Sequence, residues 1–404
     1  MSTLISSRFA HLATSLTVVL LATACSTLPR NPVPLADLDR AVVPGLPGIR
    51  DWGDKPSREF QRDLIRSVRE AQASQAPGES TPTDVAALVL SGGGSNGAFG
   101  AGYLVGWSET GTRPTFKLVT GVSTGALIAP FAFLGSDYDR QLEAMYTQIK
   151  SKDLYRIRSP FTVLKRDSLA VTDRFKQLID VAVDETLIEA IAREHRRGRR
   201  LFVGTTNLDA QRLMVWNMGA IAASGHPRAA VLFREVLLAS ASIPVAFPPV
   251  YIEVEVDGLR YDEMHVDGGV IAEFFLWGAT VDVSDAIAAL GLEQGQHTAM
   301  YIIRNSQIDP EPQQVPRELI GIASRSMITL LKAVAMGDLM RLWSLAQRDG
   351  LDFNYIAIPP HHPEADTGSF DPSELQRLFE VGRKIATGSR PWRKEPPAFL
   401  EWTD

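Results

Sequence analysis

The stretch "DVAALVLSGGGSNGAFGAGYLVGW", residues 84–107, constrains the fold of this chain more than any other. Val85–Leu90 is an unbroken apolar run with no polar alternation. A strand with one wet face alternates, whereas a continuous short run stopped by glycines reads as a strand buried on both faces. Small and apolar residues at helical spacing follow the glycines. The same order of strand, tight turn and helix returns in "FKLVTGVSTGALIAPFAF", residues 116–133. "LFVGTTNL", "RLMVWNM" and "TAMYIIRN" supply further strands, and "RAAVLFREVLLASA" (228–241) a helix. "YIEVEVDGLRYDEMHVDGG" reads as two strands turning at Asp257 and Gly258. Buried strands alternating with helices predict an α/β fold, with a mostly parallel sheet covered on both faces.

The ends of the chain read differently. Residues 12–24, "LATSLTVVLLATA", form an apolar stretch behind Arg8 that ends in small residues. It falls short of the roughly 20 residues a transmembrane helix needs, and fits a signal peptide over 1–24. The chain has a single cysteine, Cys25, which excludes an intramolecular disulfide and a cysteine metal cluster. "LATAC" resembles a bacterial lipobox, in which that cysteine is lipidated. An ordinary signal peptide with an incidental cysteine is the other reading. On the lipobox reading, residues 25–83 are a lipidated tether. It is Pro-rich at Pro29, Pro32 and Pro34, and carries one helix at 57–73 with apolar positions Phe60, Leu64, Ile65 and Val68. Residues 84–305 are expected to form the catalytic domain, and 306–404 a helical extension packed on it. Within the extension, a long helix is expected near 317–348 and "DFNYIAIPP" can return a strand to the sheet. A net charge of −6 argues against a general nucleic-acid binder, which shows a basic face.

Three glycine-bearing motifs carry the chemistry. "GVSTG" (121–125) fits G-x-S-x-G between strand and helix. In a nucleophile elbow the serine sits on a strained turn, and Gly121 and Gly125 leave room for crossing backbone. Ser123 then stands at a helix N-terminus, which favours developing negative charge. A plain helix N-cap serine is the alternative. "GGGSNG" (92–97) also opens a helix. Gly92, Gly94 and Gly97 fit a dinucleotide fingerprint, but the strand that should end in an acidic residue ends in the serine turn instead. The other reading is an oxyanion hole of backbone N–H groups. Each such donor lowers a barrier by about 2.7–4 kcal/mol. Adjacent parallel strands would set this loop beside Ser123, which favours the second reading. "VDGG" (266–269) places Asp267 at a strand end before Gly268 and Gly269. It reads as a turn pair, or as the general base a serine nucleophile requires. A histidine is the competing base, with His265, His297, His361 and His362 as candidates.

The three motifs in this order resemble the patatin-like phospholipase family, and "LASASIPVAFPPV" (238–250) is similar to the segment that family carries between nucleophile and aspartate. The resemblance covers residues 85–270. It departs in the loop, where Ser91 and Asn96 stand at positions the family often fills with aspartate and arginine. It implies a three-layer α/β/α sandwich and hydrolysis of lipid acyl esters, of phospholipase A or lysophospholipase type. It further implies a Ser-Asp dyad of Ser123 and Asp267, oxyanion N–H groups from Gly92, Gly93 and Gly94, and no metal or organic cofactor. The expected partners are a lipid or phospholipid ester and, through Cys25, a membrane surface; no nucleic acid is expected. The expected location is the bacterial cell envelope, lipid-anchored at the outer membrane or periplasmic face. Two alternatives stay open: an α/β-hydrolase-type esterase with a histidine triad, and a non-catalytic lipid-binding lipoprotein on the same scaffold. Apolar residues near the turn (Phe99, Leu127, Phe131, Phe133) are candidates for an acyl pocket or for plain core.

Overall fold

The structure, a computed structural model, describes residues 28–74, 84–159, 162, 166–276, 281, 297–363, 370–389 and 392–397. Strands are β1 (Arg50–Trp52), β2 (Asp84–Leu90), β3 (Leu118–Val122), β4 (Arg156–Ile157), β5 (Ala170–Val171), β6 (Arg200–Asn207), β7 (Arg212–Asn217), β8 (Val250–Val256), β9 (Leu259–Asp267), β10 (His297–Arg304) and β11 (Asp352–Ala357). The main helices are α1 (Arg58–Ala73), α2 (Gly97–Glu109), α3 (Thr124–Leu134), α4 (Asp139–Thr147), α5 (Asp173–Ala182), α6 (Glu185–Arg196), α7 (Ala229–Ser240), α8 (Leu319–Asp349) and α9 (Pro372–Ala386). The signal stretch and Cys25 lie outside the described residues.

A nine-stranded sheet forms the middle layer in the order β1-β7-β6-β3-β2-β10-β11, with β9 and β8 branching from β6. Its centre, β6-β3-β2-β10-β11, is parallel throughout. The apolar runs of the sequence become these central strands, because only strands covered on both faces can be apolar at every position. Alternate residues then feed two cores. Leu88, Leu90, Val119, Leu201 and Val203 point into the core built with α2, α3, α6, α7 and α9. On the other face, Ala87, Leu118, Val122 and Phe202 meet Phe60 of α1. Val89, Met300 and Ile302 meet Ala335, Leu339, Leu342 and Ala346, one stripe of α8. The result is the three-layer α/β/α sandwich expected from the sequence.

Both flanking segments are built into this body. Arg200, fully buried on β6, pairs with Asp63 of α1 at 2.7 Å and with Glu70 at 2.9 Å. Asn217 of β7 also donates to Asp63, at 3.0 Å. Residue 305 is no structural boundary: β11 extends the sheet beside β10. Helix α9 lies on α2 with the two backbones almost touching. A Cβ at Gly102 would fall 1.9 Å from the Phe379 carbonyl oxygen, and one at Gly382 would fall 2.1 Å from that of Phe99. The small residues of "GAFGAGYLVG" therefore serve close helix packing, which their apolar spacing alone did not reveal.

Candidate active site

Ser123 sits between the end of β3 and the start of α3, at φ 55° and ψ −126°. A non-glycine residue held there stores on the order of 1–3 kcal/mol of strain. The flanking glycines make the turn possible. A Cβ at Gly121 would lie 2.4 Å from the Gly125 carbonyl oxygen, and one at Gly125 would lie 2.5 and 2.6 Å from those of Leu90 and Ser91. The turn is also held from behind. The Ser123 N–H donates to Ser240 Oγ at 3.0 Å, and that hydroxyl donates to the Gly204 carbonyl at 2.7 Å.

Asp267 reaches Ser123 through the register of β6. One edge of β6 is shared end to end by two strands running in opposite directions. β3 takes residues 200–204, ending at Val122 opposite Gly204. β9 takes 205–207, with Asp267 opposite Thr205. The last residue of β9 therefore abuts the first residue after β3. Gly268 is needed at this junction, since a Cβ there would fall 2.5 Å from the Gly204 carbonyl oxygen. The Ser123 hydroxyl faces the Asp267 carboxyl and favours its ionised form. The Gly269 N–H donates to Asp267 Oδ1 at 2.8 Å. Both side-chain-bearing residues are 6% exposed. Burial pushes the Asp267 carboxyl up to about 7, while the serine hydroxyl and the Gly269 N–H pull the other way.

The glycine loop follows β2, which pairs with β3 so that Leu90 stands opposite Gly121. That register sets Gly92 beside Ser123: a Cβ on Gly92 would lie 3.2 Å from Ser123 Cβ. Gly93 and Gly94 run through φ of 144° and 57°. Asn305, just past β10, clamps the loop. Its N–H donates to Ser91 Oγ at 2.9 Å, its side-chain amide donates to the Ser91 carbonyl at 2.9 Å, and its Oδ1 accepts from the Gly100 N–H at 3.1 Å. A Cβ at Gly93 would collide with the Asn305 carbonyl oxygen at 2.1 Å. The requirement for glycine at 93 thus comes first from the protein's own backbone. Asn96 is fully buried, and its N–H closes on the Gly93 carbonyl at 3.1 Å. Gly97 packs where a Cβ would meet the Thr124 hydroxyl at 2.2 Å.

One residue that motif reading missed enters this space. The Gly92 N–H donates to the carboxyl of Glu273, which is pushed up to about 8, chiefly by burial and then by Asp267. Its signal in the sequence is a lone acid inside the apolar run "VIAEFFLW". Asp338 of α8 holds it in place, accepting from the Glu273 N–H at 2.8 Å.

The candidate histidines go elsewhere. His265 is fully buried between Thr205 and Glu263, at 2.9 and 3.1 Å from their oxygens. His297 opens β10 beside Asp84, at the opposite end of the sheet from Ser123. His361 and His362 stack on each other with ring centroids 4.3 Å apart. Ser123 opens onto an apolar cavity of about 220 Å³. Leu127, Ile149, Leu154, Leu178 and Phe247 line it, with Tyr146 and Gly94 near the serine. Of the four candidate pocket residues only Leu127 lines the cavity; Phe99, Phe131 and Phe133 are core. Among the described residues, no cluster of three His, Cys, Asp or Glu is placed to hold a metal, and no helix is long and apolar enough to cross a membrane.

Residues 88–279 match the family model described as patatin-like phospholipase. Among solved structures, the chain is similar to VipD from Legionella pneumophila, at 12% identity and a TM-score of 0.30, over 76% of this chain and 70% of that one. It is also similar to a chain of the complex of SpcU with full-length ExoU, from the type III secretion system of Pseudomonas aeruginosa. There the identity is 14% and the TM-score 0.22, over 76% of this chain and 54% of that one. No curated protein matches the chain.

Proposed function

Residues 88–279 belong to the patatin-like phospholipase family, whose members are lipid hydrolases, and on that premise we propose that this chain is a serine acyl hydrolase acting through Ser123 and Asp267. The observation that carries the reading is the Ser123 hydroxyl set against the buried Asp267 carboxyl, with Ser123 itself lining an apolar cavity. A serine hydroxyl is a weak nucleophile until a positioned base removes its proton. Asp267, raised to about 7, is a stronger base than an ordinary carboxylate and is still ionised in part at neutral pH.

Ser123 Oγ attacks the ester carbonyl carbon as Asp267 takes its proton. The carbonyl π pair moves onto oxygen, and the N–H groups of Gly93 and Gly94 and of the α3 N-terminus offset the new charge. Collapse of the adduct breaks the ester C–O bond. The proton on Asp267 passes to the departing alkoxide, leaving an acyl-serine. Asp267 then deprotonates water, which attacks the acyl carbon; the C–Oγ bond breaks, the proton on Asp267 passes to Ser123 Oγ, and a fatty acid leaves. The side chains lining the cavity suit an acyl chain, so a phospholipid or lysophospholipid is the substrate class. Export through residues 1–24 and lipidation of Cys25 at the cell envelope belong to the same proposal and rest on the sequence pattern.

The test is to incubate the purified full chain and its Ser123→Ala form with a panel of defined phospholipids and identify the released fatty acids. Release by the wild type, lost in Ser123→Ala together with fluorophosphonate labelling, is the expected result. A folded protein that neither releases fatty acid nor takes the label is a lipid-binding scaffold, and the proposal fails.

A further inference from the structure

Glu273 sits against the glycine loop on the same side as Ser123. The spot next to Gly92 Cα, left open by the missing side chain, is 3.0 and 3.2 Å from the two Glu273 carboxyl oxygens and 3.2 Å from Ser123 Cβ. The carboxyl and the serine thus pack against the same side of Gly92, close enough for an oxygen of an adduct on Ser123 to reach the carboxyl. The equivalent spot on Gly269 is 2.7 Å from Glu273 Oε1 and 3.1 Å from Asp267 Oδ1. The two carboxyl groups therefore both lie against the Gly268–Gly269 turn.

Two carboxyls this close, Asp267 buried and Glu273 half-buried, do not both ionise at neutral pH. Asp267 is the one facing the serine, and it has to be ionised to accept a proton. Other charged groups reaching Glu273 are Asp338 of α8, which itself faces Arg341 at 3.3 Å, and Arg304 at the end of β10. Asp338 disfavours a charge on Glu273 and Arg304 favours it, and burial outweighs both.

We propose that Glu273 is a further catalytic residue of this enzyme: as the neutral acid it accepts the Gly92 N–H on one oxygen and donates the O–H of the other to the oxyanion. The proposal rests on the Ser123–Asp267 reading above. The proton stays on Glu273 through both adducts, so no bond to it is made or broken in the cycle. Its ionisation removes a donor and places a negative charge beside the oxyanion, while the carboxylate keeps hold of the Gly92 N–H. Activity then falls as pH rises through about 8, the value to which Glu273 is pushed.

The test is kcat/KM from pH 5 to 10 on a soluble short-chain ester, for wild type, Glu273→Gln, Glu273→Ala and Ser123→Ala. The amide of Gln donates a hydrogen bond and cannot ionise. Glu273→Gln is therefore expected to stay within a few-fold of wild type at pH 7 and to lose the alkaline fall. Glu273→Ala is expected to lose roughly 100-fold in kcat with little change in KM, the usual cost of one oxyanion donor. An alkaline fall that persists in Glu273→Gln overturns the proposal. So does a Gln variant as inactive as the Ala variant at every pH, which would make Glu273 a base. The burst of fluorophosphonate labelling, followed over the same pH range, reads the same step if the Ala variant does not fold. Failure of the underlying reading has a separate signature, a Ser123→Ala enzyme as active as wild type.

Discussion

Replacing Asp267 by Asn should stabilise the protein while abolishing its activity, and the size of the effect follows from the site. The carboxyl moves from an ordinary 3.8 to about 7 on folding. The native state thus holds a proton that the unfolded chain releases in that interval. Its contribution to stability is full below pH 3.8 and is lost as pH rises to about 7. At 1.36 kcal/mol per pH unit, the ionised group costs about 4 kcal/mol above pH 7. Asn keeps the shape and one acceptor for the Gly269 N–H, and never ionises. Without Asp267, Glu273 also ionises at lower pH, because the aspartate charge is one of the causes that raise it. Urea unfolding at pH 4 and pH 8 separates the states. Wild type and Asp267→Asn should unfold at similar midpoints at pH 4. At pH 8 the variant should be more stable by about 2–4 kcal/mol. Wild-type kcat/KM should meanwhile fall about tenfold per pH unit below 7. A variant less stable than wild type at pH 8, or a difference that does not change with pH, would refute the argument.

Four other outcomes are expected. Gly125→Ala should cost more than about 3 kcal/mol or prevent folding, since its Cβ meets two backbone oxygens at 2.5 and 2.6 Å. Gly111→Ala, with φ +68° but open space around it, should cost only about 1 kcal/mol, both read by urea unfolding. Asp63→Ala leaves the Arg200 guanidinium buried without its nearest partner and should lower stability by about 3–5 kcal/mol in urea, with active-site labelling of the folded fraction unchanged. Leu127→Trp fills part of the cavity and should shift the ratio of kcat/KM between short and long acyl esters at least tenfold toward short ones.

Much of this was legible in the residues. The unbroken apolar runs require strands covered on both faces, so the parallel sheet and its two helical layers follow from pattern alone. "GVSTG" and "GGGSNG" announce turns that only glycine-flanked backbone can make. The amphipathic spacing of 57–73 marks a helix with one face to bury, and Phe60 buries it. What the sequence left open was which groups meet. Which side chain meets Ser123 is set by β6, whose single edge carries β3 to residue 204 and β9 from 205, so that the serine and Asp267 arrive at one point from opposite directions. No local pattern encodes that junction, because it depends on pairing between segments about 60 and 80 residues apart along the chain. The same holds for Asn305 at the glycine loop and for Glu273 beside Ser123: each is an ordinary polar residue until the sheet order β3-β2-β10 and helix α8 bring it to the serine. Local sequence determined the elements and the turn that strains Ser123; the charge around that serine is a property of tertiary packing, since burial and the neighbours it imposes are what move a carboxyl from its solution behaviour.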